Sequence, residues 1–213
     1  MTTKDATFQL AKKIKSGTAQ LNGEWKDLKS YVHENWSVQL LAGDVFQLEG
    51  WSLPPKLRLI FEDVNDIIAL PTLMTERQTT IAPVFQQIVK SQPVASYEAY
   101  DLSRLHVDYF QFQELAFQEC VDKIDCAQVR DEFTAFNVWI VSRFWNYLTV
   151  FYQRDEDVET YAKSGVSDRI YTRIQAIAAL QDEFGYLADR SVQVHFDSKE
   201  KFDQAGGWRG YYR

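Results

Sequence analysis

The 213-residue chain has little of what marks secreted, membrane and most catalytic proteins. It contains two cysteines, five prolines and three histidines, and no proline follows Pro93. Its start, Met-Thr-Thr-Lys-Asp, lacks the apolar core of a signal peptide. A membrane span needs about 20 predominantly apolar residues with few charges, and the most apolar stretch is interrupted by Arg143. We therefore expect a cytoplasmic protein without a membrane segment.

The cysteines and histidines do not form a known catalytic or metal motif. Cys120 and Cys126 are accompanied by no second cysteine pair or histidine pair, so a zinc site is not indicated. No glycine-rich phosphate loop, His-Glu-x-x-His or Gly-x-Ser-x-Gly occurs, and no glutamate stands three residues before a histidine. We expect free thiols at a turn between helices, no cofactor, no metal and no enzymatic activity.

The charge argues against broad nucleic-acid binding. The net charge is −7, and non-specific nucleic-acid binding depends on basic side chains at phosphates. The hydrophobic fraction of 46% and the charged fraction of 25% are those of a folded globular protein. A protein partner, or a second copy of the chain, is therefore favoured over a nucleic acid.

The stretch from Phe133 to Gln153 has no proline or glycine and is apolar at most positions. At 100° per residue its apolar side chains cover most of a helix circumference, and only a narrow polar strip remains. Such a helix must be surrounded by other elements. We predict an all-α fold, a bundle of about six to eight helices around a central helix at residues 127–153, with Trp145 buried.

Other patterns predict one helical domain over residues 1–213. Shorter helices are expected in residues 1–92, long proline-free helices in 94–190, and a docking tail in 196–213. The individual helices are predicted at residues 5–16, 24–36, 55–70, 72–90, 96–123 and, after Ser167, from Ile170 to Leu187. For residues 37–50, a small hairpin and irregular structure both stay open.

Asn137 and Arg143 are polar residues inside the apolar stretch. Buried polar groups must be hydrogen-bonded and a buried charge must be paired. One interpretation is a structural network with neighbouring helices. The other is a polar anchor in an aromatic-lined pocket, which predicts a protein that binds a small apolar ligand in the helical core.

Arg190 and His195 form an Arg-x₄-His spacing, RSVQVH, after a long predicted helix. This spacing resembles the motif of the HEPN ribonucleases, small helical-bundle proteins common in bacterial defence. The resemblance covers six residues and departs from the family at Ser191, where a residue such as asparagine or aspartate is usual. It implies a ribonuclease in which Arg190 and His195 flank the RNA phosphate across a dimer.

The C-terminal tail is rich in residue types found at interface hot spots. These are Trp208, Arg209, Tyr211 and Tyr212. One interpretation is a tail packed on its own domain, and the other is a docking element. Our leading hypothesis is a non-enzymatic protein that acts through protein–protein interaction or regulation, and the ribonuclease and the ligand binder are the alternatives.

Overall fold

The computed structural model describes residues 1–47, 53–92 and 97–212. The chain divides into two compact units, Met1–Leu115 and Ala116–Arg213. The predicted all-α bundle is wrong, because the structure is 52% helical and 19% strand and its described residues form two three-stranded mixed sheets. Across the described ranges, no helix is long and apolar enough to cross a bilayer.

The first unit begins with two helices and then alternates between strands and helices. The predicted helices at 5–16, 24–36 and 72–90 are confirmed as α1, α2 and α4, and α4 contains Pro83. The elements are α1 (Ala6–Lys15), α2 (Gly23–Trp36), β1 (Leu40–Phe46), β2 (Lys56–Phe61), α3 (Val64–Ala69), α4 (Met74–Ser91), β3 (His106–Gln111) and α5 (Phe112–Asp122).

The predicted helix at 55–70 is wrong in its first half, which is strand β2. Leu57, Leu59 and Phe61 are fully buried on one side of β2, and Ile60 is fully buried on the other. Polar and apolar residues alternate only from Lys56 to Leu59, and because both faces of the strand are covered, Leu59, Ile60 and Phe61 then form an unbroken apolar run. A short run of this kind cannot be told from a buried helix by its periodicity.

The predicted helix at 96–123 is also wrong, since strand β3 occupies its middle and only α5 is a long helix there. Residues 37–50 provide strand β1, which pairs with β2 instead of folding back on itself. Residues 48–50 and 93–96 lie outside the described residues. Gly43 permits close packing in β1, because a Cβ there would come within 2.4 Å of the Trp25 ring.

The second unit holds the other sheet, and its elements follow the second half of α5. The predicted helix after Ser167 is confirmed as α8, but α8 ends at Ala179, before the predicted end at Leu187; α7, before it, begins with the acidic turn Asp155, Glu156 and Asp157. The elements are α6 (Cys126–Glu132), β4 (Val138–Phe144), β5 (Tyr147–Tyr152), α7 (Asp155–Lys163), α8 (Val166–Ala179), β6 (Gln193–Ser198), α9 (Lys199–Gln204) and α10 (Trp208–Tyr211).

The predicted central helix at 127–153 is wrong. In the structure these residues form the helix α6, a short 3₁₀ turn, and the hairpin of β4 and β5. Trp145 lies in the two-residue turn with a positive φ of 54° and is 72% exposed, so it is not a core residue. Leu148, Val150 and Tyr152 enter the core from one face of β5, and the stretch is rich in the β-branched and aromatic residues that favour strands.

The two units repeat one strand pattern. In each, the middle strand pairs antiparallel with the first strand and parallel with the third. The first strand carries an irregularity at the same place, Leu41 in β1 and Trp139 in β4, and the remaining registers agree residue by residue. The row Asp44, Arg58 and Asp108 therefore corresponds to the row Ser142, Thr149 and His195.

Within each unit, one face of the sheet meets long helices and the other meets a covering segment. In the first unit α2 and α4 pack against one face, while α1 contacts β1 through the opposite face, where Thr7 donates a hydrogen bond to Asp44. In the second unit α6 and α8 share a core with one face. The opposite face meets the aromatic residues of α9 and α10.

Candidate functional site

The structure places Arg190 and His195 against different aromatic rings. The Arg190 guanidinium lies 4.2 Å from the centroid of Phe117, which belongs to the core on one face of the second sheet. His195 points to the opposite face, since β6 alternates, and its ring meets Tyr147 edge-on at 5.3 Å. Within one chain the two side chains are not brought together, and the ribonuclease hypothesis stays a prediction.

Asn137 and Arg143 both have structural partners. Arg143 donates from one nitrogen to the carbonyl oxygens of Val121, Asp122 and Ile124, at 3.0, 2.6 and 3.2 Å, and so caps the C-terminal end of α5. Asn137 has a φ of 55° and donates to the Asp157 carboxylate at 3.3 Å. Both residues are exposed and not buried in a helical core, but their hydrogen bonds agree with the structural-network interpretation.

The C-terminal tail packs on its own unit, and its last described residue is Tyr212. The Trp208 ring meets Phe202 at 4.6 Å. Tyr212 lies between Trp208 and Phe144, nearly parallel to both, with interplanar angles of 5° and 8°. This aromatic stack leaves Trp208 50% exposed and Phe144 40% exposed. Arg209 is exposed and follows Trp208 in α10. Arg213 lies outside the described residues.

A groove opens beside the aromatic stack, on the face of the sheet that His195 points to. Its volume is about 460 Å³, within the size range of small-ligand sites. It is lined by Tyr147, Thr149, His195, Phe196, Asp197, Tyr211 and Tyr212. We call this feature the tyrosine groove.

The rings of the tyrosine groove are steeply inclined to one another. Tyr211 and Tyr212 meet at 84° with centroids 5.0 Å apart, and Tyr147 is inclined by 51° to Tyr212 at 6.5 Å. Thr149 is only 2% exposed and is the residue of β5 that pairs with His195 of β6. Rings set at such angles present both faces and edges to whatever occupies the groove.

One carboxylate belongs to the tyrosine groove. Asp197 accepts a hydrogen bond from the Tyr211 hydroxyl at 2.5 Å and another from the Ser198 backbone N–H at 2.8 Å. Burial raises the pKa of Tyr211, and the Asp197 carboxylate raises it further. Burial also raises the pKa of Tyr147. Tyr147 and Tyr211 are therefore neutral at physiological pH. Lys201 Nζ lies 3.6 Å from the Asp197 oxygen that accepts from Ser198 and forms an ion pair with this carboxylate.

Aromatic faces and a carboxylate together favour a positively charged ligand. The faces of tyrosine rings carry the negative part of the ring quadrupole, and aromatic cages are known to bind ammonium groups. Among the residues that the structure describes, no group of three or more histidine, cysteine or acidic side chains is placed to hold a metal.

Sequence reasoning named His195, Tyr211 and Tyr212, but missed Tyr147, Thr149 and Asp197. The alternation of Tyr147, Thr149 and Phe151 on one face of β5 was the available signal, and the helical interpretation concealed it. Asp197 gave no signal of its own, because its position depends on the pairing of β6 with β5.

The chain matches no protein-family model, no curated protein and no solved structure.

Proposed function

We propose that the chain is a non-enzymatic binding protein that holds a lysine or arginine side chain of a basic partner protein in the tyrosine groove. The observation that carries this proposal is that the Asp197 carboxylate, bonded to Tyr211, lines the same groove as the rings of Tyr147 and Tyr212. A cation there meets ring faces and a negative charge at once, which neither a neutral nor an anionic ligand can exploit.

The surroundings of the groove suit a protein partner. Trp208, Phe144 and Trp145 are exposed by 50%, 40% and 72%, and exposed clusters of large aromatics mark interaction sites. Tryptophan and tyrosine are also the residue types most enriched at binding hot spots. The net charge of −7 favours encounter with a basic partner over an acidic one.

The test is a nuclear magnetic resonance titration of the full chain with capped single amino acids. N-acetyl-lysine methylamide and N-acetyl-arginine methylamide are compared with the neutral N-acetyl-norleucine methylamide. We expect the cationic compounds to shift the resonances of Tyr147, Thr149 and His195, and norleucine to leave them unchanged. Equal shifts with norleucine, or shifts confined to other residues, would contradict the proposal.

Two variants and a matched control identify the groups that bind. Tyr212→Leu removes a ring face, and Asp197→Asn removes the carboxylate. Each should weaken lysine binding by about three- to thirtyfold, the range that corresponds to one cation–π contact. Asp168→Asn removes an exposed carboxylate of α8, outside the groove, and should leave binding unchanged. Tetramethylammonium that binds more tightly than both amino acids would indicate a small quaternary ligand instead of a partner protein.

A further inference from the structure

A second cavity lies within the first unit and has the opposite electrostatic character. It is bordered by the end of α1, the segment that follows it, α2 and β1, and its volume is about 1030 Å³. We call it the α2 cleft. It is lined by Ile14, Lys15, Gly17, Ala19, Gln20, Leu21, Asn22, Gly23, Lys26, Lys29, Ser30, His33, Gln39, Leu41 and Glu62.

The charge on α2 is divided between two sides of the helix. Lys26, Lys29 and His33 follow the spacing that places side chains on one face, and all three line the cleft. None of the three acidic residues of α2 lines the cleft, and two of them, Glu24 and Asp27, have hydrogen-bond partners elsewhere. Glu24 accepts a hydrogen bond from Tyr97 at 2.8 Å, and Asp27 accepts one from Gln92 at 2.6 Å.

The two lysines of α2 are available to a ligand. In the part of the chain that the structure describes, neither Lys26 nor Lys29 forms an ion pair, whereas Lys15 is paired with Glu62 at 2.7 Å. Two ammonium groups three residues apart, with His33 one turn further on, therefore give the cleft a positive character. This local charge is notable in a chain whose net charge is −7.

The α2 cleft also contains apolar and neutral polar surface. Ile14 and Leu21 are half-buried and Leu41 is only 4% exposed, so a ligand can cover apolar side chains here. Uncharged hydrogen-bonding groups come from Gln20, Asn22, Ser30 and Gln39. A cleft with an apolar wall and a few convergent polar groups is the usual form of a small-molecule site.

We infer that the α2 cleft binds a small organic dianion, a phosphate monoester or a dicarboxylate, whose apolar body contacts Ile14 and Leu21. The anionic group lies at Lys26 and Lys29, with His33 at its border. Charge-assisted hydrogen bonds from ammonium groups are stronger than neutral ones and hold such a group in place. The inference uses residues of the first unit alone and is independent of the tyrosine groove.

Four probes separate the contributions of charge and apolar surface. Phenyl phosphate and phthalate carry a dianionic group and a ring, inorganic phosphate carries the charge alone, and phenol carries the ring alone. We expect phenyl phosphate or phthalate to shift the amide resonances of residues 20–33 in a saturable way. The tighter of the two should bind at least about tenfold more tightly than inorganic phosphate, and phenol should give no saturable shift. A preference between the two identifies the phosphate or the dicarboxylate class.

Variants of the full chain complete the test. Lys26→Gln combined with Lys29→Gln should weaken binding at least about tenfold, since both charge-assisted contacts are lost. Lys90→Gln, an exposed lysine of α4 outside the cleft, is the matched control and should bind as the unaltered chain does. Dispersed amide spectra of each variant show that it is folded. Binding that survives the double substitution, shifts that map outside the cleft, or the absence of saturable shifts with both ring-bearing dianions would overturn the inference.

Discussion

Asp44 and Ser142 occupy the same position in two copies of one strand pattern, and each is bonded to the segment that covers its sheet. Thr7 of α1 donates to Asp44, and the Tyr212 hydroxyl donates to Ser142 at 3.3 Å. The neighbouring position in the row is Arg58 in one unit and Thr149 in the other. The first unit therefore has the Arg58–Asp44 ion pair at the row of positions where the second unit has the tyrosine groove.

Arg58→Ala should be strongly destabilising. Arg58 is 9% exposed, donates to both carboxylate oxygens of Asp44 and contacts Asp5 at 3.2 Å. Its loss leaves a partly buried carboxylate without a cation, which costs about 3–5 kcal/mol of the free energy of unfolding. Lys56→Ala on the same strand breaks the exposed pair with Asp108 and should cost less than about 1 kcal/mol. Denaturant titration measures both, and similar losses would contradict the distinction.

Tyr109→Phe should be neutral or stabilising by about 1 kcal/mol at pH 7. The hydroxyl oxygen is buried and has no hydrogen-bond partner within the described residues, and an unsatisfied buried hydroxyl is costly. The ring itself keeps its contact with the Arg77 guanidinium, 4.1 Å from the centroid. Chemical denaturation of the two proteins gives the difference. A loss above about 1 kcal/mol would show that the hydroxyl has a favourable partner.

The same substitution should change the response to alkaline pH. Burial raises the pKa of Tyr109 to about 12, although the Arg77 charge lowers it, whereas the unfolded value is about 10. The folded state keeps the proton longer than the unfolded state does, so stability falls as pH rises from about 10 to 12. The free energy of unfolding of the unaltered chain should therefore decline relative to that of Tyr109→Phe in this window. Parallel pH curves would contradict this assignment.

Trp145→Ala should change the free energy of unfolding by less than about 0.5 kcal/mol, because its side chain is 72% exposed. Phe151→Ala, in the strand after the turn, removes a fully buried ring and should cost about 3–5 kcal/mol. Denaturation monitored by circular dichroism compares the two directly. A large loss at Trp145 would show that its ring is packed against the protein and not exposed.

The two thiols should be free and slow to react. Cys120 is buried and Cys126 is half-buried, and neither is in a disulfide. Burial raises the pKa of Cys126 although the Arg143 charge lowers it, so little reactive thiolate forms at neutral pH. Alkylation followed by intact mass should show two modified thiols only after denaturation, with or without prior reduction. A requirement for reductant would reveal a disulfide in solution.

The elements that were predicted correctly are those whose structure depends on residues close together in the sequence. The helices α1, α2 and α4 have amphipathic periodicity and polar outer faces, and Asp155–Asp157 mark the start of α7 through the helix dipole. The turn between Cys120 and Cys126 was likewise accessible from spacing and capping, since Asp125 accepts hydrogen bonds from the N–H groups of Ala127 and Gln128.

The sheets escaped prediction because their strands are completed by partners far along the chain. β2 lies between β1 and β3 in its sheet, and its alternation of polar and apolar residues from Lys56 to Leu59 is too short to distinguish a strand from a helix before the apolar run Leu59–Phe61 begins. In β5 the apolar run of Val150, Phe151 and Tyr152 likewise hides the alternation of Tyr147, Thr149 and Phe151 on one face. The repeated strand pattern cannot be recognised from the amino-acid sequence either, because residues at corresponding positions, such as Arg58 and Thr149, differ in charge and size. Tyr211 and Tyr212 were predictable as interface residue types, but their arrangement around Asp197 depends on strand register.

The cap that Arg143 places on α5 has a consequence for how the second unit opens. The Arg143 guanidinium on β4 donates hydrogen bonds to three carbonyl oxygens at the end of α5, which precedes it by about twenty residues in the sequence. Fraying of that helix end breaks the hydrogen bonds between α5 and the hairpin, so the two should open as one cooperative unit. The amide protons in the last turn of α5 should therefore exchange with solvent deuterium at the pace of the hairpin, and Arg143→Met should release them to the faster exchange of an ordinary helix end.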